Sequence, residues 1–199
     1  MAFGNSQEKF IYELGDIYDA EQQFLAGQQE MLQHASNPQL QQGLQEHIQQ
    51  TQQHIQNLDQ VFSLLGQQSG GNTCAVAQCL VSDAQQLIGM AQSAELTDCV
   101  IDGAAATVEH FEIASYRGLL TVAQAMGQDQ IVSLLQQNLQ QEEQTAQKLE
   151  SLAPQLVQQA MQAEGTQPKM GGTASGDPYV QVNTAGASDI LIDNTQSTR

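Results

Sequence analysis

The chain has 199 residues, 22 of them acidic and 5 basic, for a formal net charge of -17 and a pI near 4.1. That length suits one domain with a full core plus an appendage, and that charge repels phosphate backbones and anionic headgroups, which sets aside nucleic acid and the membrane surface as partners. No apolar run approaches the roughly 20 residues needed to span a bilayer, and the opening MAFGNSQEKF lacks the basic start and apolar stretch of a secretory signal. The expected location is the cytoplasm.

Residues from about Gln7 to Ala35 form the first predicted helix, with Phe10, Leu14, Ile17, Tyr18, Phe24, Leu25, Met31 and Leu32 at three- and four-residue steps. Ser36-Asn37-Pro38 breaks it. Asn37 is a good N-cap and Pro38 a good first helical residue, so a second helix runs from there to Gly66 with Leu44, Ile48, Ile55, Leu58, Val61, Phe62 and Leu65 as its stripe. After the flexible GQQSGGNT, Ala75 to about Gln92 reads as a shorter helix carrying Leu80, Val81, Leu87, Ile88 and Met90. Thr97 or Asp98 is the expected cap of a fourth, ending near Met126 before Gly127. The last spans about Asp129 to Ala163, with Ile131, Leu134, Leu135, Leu139, Leu149, Leu152, Leu156 and Val157 on its buried side; Pro154 should kink or end it. Four long helices and one short one describe an all-α bundle with a longer middle connection, occupying residues 1–164.

From Gly165 the composition turns to Gly, Ser, Thr, Asn and Asp. Residues 165–199 read as an extended tail with two apolar runs, Tyr179, Val180 and Val182, then Ile190, Leu191 and Ile192, suited to strand addition or burial on a neighbouring subunit. About one residue in five is glutamine. Glutamine keeps helical propensity while removing charge, so the faces it covers can pack against copies of themselves through amide hydrogen bonds. Cys74, Cys79 and Cys99 show no paired zinc spacing and are expected to be free thiols.

The main chemical signal is in Ala104–Leu120. Glu109, Glu112 and Tyr116 share one helical face with Ala105 and Leu119 or Leu120, a face that should be core. A buried carboxylate costs several kcal/mol unless paired, protonated or bound to a metal. Glu21 lies on the apolar stripe of the first helix, His54 on that of the second and Glu142 on that of the last. Each long helix therefore projects a candidate ligand toward one axis, as in di-iron and di-manganese bundles. A hydrogen-bonded Glu, His and Tyr network with protonated acids is the alternative.

From Glu13 to Leu152 the sequence resembles the YciF-like family of ferritin-like bacterial stress proteins. The likeness is carried by YDAEQQ around Glu21, by the His47 to Gly66 run with its two histidines and VF-x-LLG ending, by VEHFEIASY, and by EEQTAQKL from Glu142 to Leu149. The resemblance implies a ferritin-like bundle, usually dimeric, with a two-metal centre and a link to stress responses. It also implies an acid four residues before His54 and a carboxylate four after Glu142, where this chain has Gln50 and Ala146. Of six implied ligands Glu21, His54, Glu112 and Glu142 are kept, with Glu109 as a spare. That set suits one divalent metal; a second would need His47 or Glu46, so di-iron or di-manganese binding is disfavoured.

Two functions follow as expectations. The first is a non-catalytic bundle that self-assembles, as a dimer or a polymer joined by its tail, around a degenerate metal site. The second is an iron- or manganese-binding stress protein with residual storage or oxidation. No phosphate loop, nucleophile elbow or zinc-protease helix motif points to another enzyme class.

Overall fold

The computed structural model describes residues 2–166; the tail residues Tyr179, Val180, Val182, Ile190, Leu191 and Ile192 lie outside the described residues. Five helices follow in order: α1 Ser6–His34, α2 Pro38–Leu64, α3 Ala75–Met90, α4 Ala94–Ala125 and α5 Asp129–Thr166. Their ends are written locally. Asn5 accepts the Glu8 amide at the start of α1, and Asn37 accepts the amides of Gln39 and Leu40 at the start of α2. Gly66 and Gly127, with φ of 67° and 66°, take the left-handed conformation that closes α2 and α4.

The four long helices pack as a ring, α1 on α2, α2 on α5, α5 on α4 and α4 on α1, with α3 laid against α1 and α4. The core is in two halves. One gathers Phe10, Leu14, Phe24, Leu58, Phe62, Leu119 and Leu135, the other Met31, Leu40, Leu44, Ile101, Leu149 and Leu156. The order in which each helix visits these halves makes α2 and α4 run the same way, which is why the α2–α4 connection must travel the length of the bundle and carries α3 on the way.

Three expectations are corrected, the cap of α4, the end of α5 at Pro154 and the burial of Val157. Ser93 caps α4, its hydroxyl accepting the Leu96 amide; Asp98 instead accepts from Ser36 N at 2.7 Å, Ser36 Oγ at 2.6 Å and Asn37 N at 3.0 Å, tying α4 to the α1–α2 turn. Pro154 lies inside an α5 that neither stops nor divides; it is exposed, so the carbonyl one turn earlier that loses its donor faces the water side. On α3 only Ala77 and Ala84 are buried, while Leu87 and Met90 are 40% and 52% exposed. Val157 on α5 is likewise exposed. On α3 and at Val157 the helical period is right, but the apolar face exceeds the surface that the described neighbours cover.

No helix among the described residues is long and apolar enough to cross a membrane. Cys74, Cys79 and Cys99 are free, Cys74 buried and Cys79 exposed.

Candidate metal centre

Between the two apolar halves, the ring's interior is ionisable. Glu21 from α1, His47 and His54 from α2, Glu109 and Glu112 from α4 and Glu142 from α5 are all buried. Their ligand atoms form two groups, His47, Glu109, Glu112 and Glu142, and Glu21, His54 and Glu142, each with all its atoms within 4.8 Å of one another. Glu142 belongs to both. The five sequence candidates, Glu21, His54, Glu109, Glu112 and Glu142, thus come together.

His47 joins them, its Nε2 2.9 Å from Glu109 Oε1 and 3.8 Å from Glu142 Oε2. Glu109 therefore has a partner rather than a spare's place. Glu46, the other candidate helper, points away and pairs with Lys148 at 3.0 Å on the surface. Ala146 has no donor atom to offer, and Gln50 Oε1 accepts from His47 Nδ1 and Thr145 Oγ1 instead. The signal for His47 was its spacing: seven residues, two full turns, put it on the same stripe of α2 as His54.

Both imidazoles are oriented from behind by glutamine, which sequence reasoning missed. His54 Nε2 donates to the Gln141 side-chain carbonyl at 2.8 Å, leaving Nδ1 facing Glu142 Oε1 at 2.7 Å and Glu21 Oε1 at 3.4 Å. His47 Nδ1 donates to Gln50 Oε1 at 3.4 Å, leaving Nε2 toward the acids. A proton fixed on the far nitrogen presents the near lone pair, the orientation a ligating histidine takes. A further polar belt borders the centre. The Tyr116 hydroxyl donates to Glu21 and accepts from Asn138 Nδ2 at 3.0 Å, and Asn138 Oδ1 accepts from Asn57 at 2.7 Å.

Lone pair now faces lone pair. With both rings in that tautomer, both oxygens of Glu112 and of Glu142, one each of Glu21 and Glu109, and the inward nitrogens of His47 and His54 are buried with no donor among the described residues; a proton on His54 Nδ1 turns its 2.7 Å contact with Glu142 Oε1 into a hydrogen bond. Buried unpaired acceptors are costly, so something positive must lie among them. Without a cation, protons serve. Burial first, then the Glu142 charge, pushes Glu109 and Glu112 well above the usual carboxylate range, and burial raises Glu21. Burial alone would lower His54, but Glu21 and Glu142 outweigh it and lift the imidazole to about 11. For Glu142 burial is outweighed by the His54 hydrogen bond and charge, leaving it at about 2. Burial and the Glu21 charge keep Tyr116 protonated.

The donor set fits divalent cations. Four carboxylates balance the charge of two such ions while two neutral imidazoles complete their shells, and oxygen with nitrogen donors suits iron(II) and manganese(II). No cysteine belongs to either group, which argues against softer, thiolate-seeking ions.

A ring of four long helices with one lengthwise crossover and an interior of carboxylates and imidazoles is a ferritin-like bundle, and the comparisons agree. A two-domain protein from Anabaena variabilis, with DJ-1/ThiJ/PfpI-like and ferritin-like domains, shares the fold at a TM-score of 0.52 and 15% identity, over 87% of this chain and 42% of that one. The chain belongs to the family described as "Domain of unknown function (DUF892)", which matches residues 5–162. It is similar to Protein YciF of Escherichia coli, 32% identical over 153 residues covering 74% of this chain and 89% of that protein. The crystal structure of the Escherichia coli stress protein YciF superposes with a TM-score of 0.75 at 30% identity, over 78% and 99% of the two chains. YcfI of Rhodopseudomonas palustris gives 0.71 at 36% identity, over 75% and 98%.

Proposed function

We propose that this protein binds a pair of divalent cations, iron(II) or manganese(II), in the cytoplasm, as a metal-holding protein of the stress response. The observation that carries this reading is the sharing of Glu142 by two adjacent ligand groups whose inward atoms, once deprotonated, have no donor among the described residues. This reading takes a pair where the sequence suggested a single ion, and what supports it is that His47 and Glu109 stand among the ligand groups in addition to the four residues kept. The link to stress comes from the description of YciF as a stress protein. Iron bound here would bring one-electron redox chemistry. The chain's own residues would hold the ions by displacing protons from Glu109, Glu112 and His54, fix both imidazoles through Gln50 and Gln141, and keep water out between two apolar core halves.

Metal analysis after anaerobic loading with ferrous iron, and with manganese, tests this. Two ions per chain are expected, with Glu142→Gln losing both and Glu21→Gln one. Fewer than one ion per chain at saturating metal would remove the proposal.

Self-association is a second reading, supported by a different observation. Val76, Leu87 and Met90 lie within one stripe on the outer side of α3 and are all exposed, an apolar face without a partner among the described residues.

A further inference from the structure

A cavity of about 720 Å³ opens beside the candidate centre, within the roughly 300–1,000 Å³ of small-molecule sites. One end is polar: His47 and Glu109, themselves members of a ligand group, with Gln28, Gln50 and Thr145. The floor is apolar and comes from all five helices, among them Met31, Leu44, Val81, Val108 and Leu149, while exposed polar side chains such as Gln42, Gln144, Ser151 and Gln155 form the rim. The lining follows α2 from Gln39 to Gln50 and α5 from Gln144 to Gln155, about 16 Å of helix on each side. The space is therefore long, apolar along its floor, polar along its exposed rim and hydrogen-bonding at its buried inner end.

Gly43 borders it one turn before His47. A Cβ built there meets no atom within 4 Å, and its φ is not positive. Glycine inside a helix costs about 1 kcal/mol relative to alanine. Neither backbone nor packing requires it here; what it does is keep the opening wide.

We propose that this cavity binds an unbranched, medium-chain aliphatic molecule with one uncharged oxygen head group, an alcohol or an aldehyde. The head meets His47 and Thr145 and the chain lies between α2 and α5. The Gln28 amide, which gives one hydrogen to Thr51, has a second for a ligand oxygen, and Thr145 Oγ1, whose own proton goes to Gln50 at 3.3 Å, accepts from a ligand hydroxyl. An anionic head is disfavoured because its charge would be buried beside His47 and Glu109 without a paired cation, the lining's lysine, Lys148, standing at the exposed rim. At the rim Glu46 and Lys148 neutralise one another, so an ionic head gains nothing there. The proposal does not require a cation in the centre.

The test titrates Nile red, then 1-decanol, decanal and decanoate as competitors, into the full chain, once after chelator treatment and once loaded with manganese. One saturable site per chain is expected. In chelator-treated protein, 1-decanol and decanal should compete at least tenfold better than decanoate. Gly43→Phe, which fills the opening, should weaken 1-decanol at least tenfold with an unchanged circular dichroism spectrum, while Gly43→Ala binds like the wild type. If Gly43→Phe fails to fold, Gly43→Leu takes its place, and the preference among head groups is read on the wild type alone.

Decanoate competing as well as 1-decanol in chelator-treated protein would overturn the proposal, as would an unchanged affinity in the variant. A Gly43→Phe protein whose sedimentation mass, rather than its 1-decanol affinity, has changed would show that a second copy covers the opening and would also overturn it. Manganese uptake is read in the same samples. Loss of uptake with 1-decanol binding intact condemns the metal reading alone, and the converse condemns only this one.

Discussion

At the residue scale, the two glutamines behind the histidines decide what the centre can hold. A ligating imidazole works when its far nitrogen is anchored, and losing such an anchor typically lowers metal affinity about 10- to 100-fold. Gln141→Leu should weaken manganese binding to that extent while leaving circular dichroism and thermal midpoint nearly unchanged, as followed by calorimetric titration. Asp102 is a different case. One of its oxygens is buried without a partner, and burial raises the carboxyl to about 6 from an ordinary 3.8. Between those values the folded chain keeps a proton that the unfolded chain releases, so stability falls as pH rises from about 4 to about 6 and stays lower above it. Asp102→Asn should make that slope shallower, Glu109 and Glu112 keeping their share of it, and be the more stable form at pH 7, checked by urea unfolding at several pH values. A wild-type curve flat across that window would refute the burial argument.

Among the helices, α4 and α5 each contain a residue whose role is not the one local rules suggest. Asp98 was a natural cap by type, yet it is buried one turn into α4 and holds the α1–α2 turn through three hydrogen bonds. Its replacement by alanine leaves two backbone amides and a hydroxyl without that acceptor. A loss of about 3 kcal/mol is expected in chemical denaturation, since bonds to a charged acceptor are the stronger kind. Pro154 breaks the α5 ladder on a face where water can replace the missing donor, which is why the helix continues through it. Pro154→Ala restores that bond and should raise stability by about 1 kcal/mol. A destabilised variant would mean that the surrounding helices have shaped themselves to the ring.

For the molecule as a whole, the bundle divides its labour by height and by face. Two apolar halves stabilise the ring, the ionisable layer sits where they meet, and the outer side of α3 is left apolar. If that side joins two copies, Leu87→Glu with Met90→Glu should shift the sedimentation mass to that of the monomer and leave manganese stoichiometry at its wild-type value. An unchanged mass would exclude α3 as the interface.

The helices, their order and the ring of inward acids follow from sequence periodicity alone, because the three- and four-residue spacing that makes a stripe also fixes which side chains share it. Glu21, His54, Glu109, Glu112 and Glu142 were legible for that reason. What only the tertiary structure decided was the completeness of the centre. Whether His47 reaches Glu109, whether Glu46 turns outward to Lys148, and which amide stands behind each ring depend on how helices from distant parts of the chain are rotated and staggered. The cavity beside them has the same origin. A void is defined by the side chains that surround it, and no single stretch of sequence contains them all.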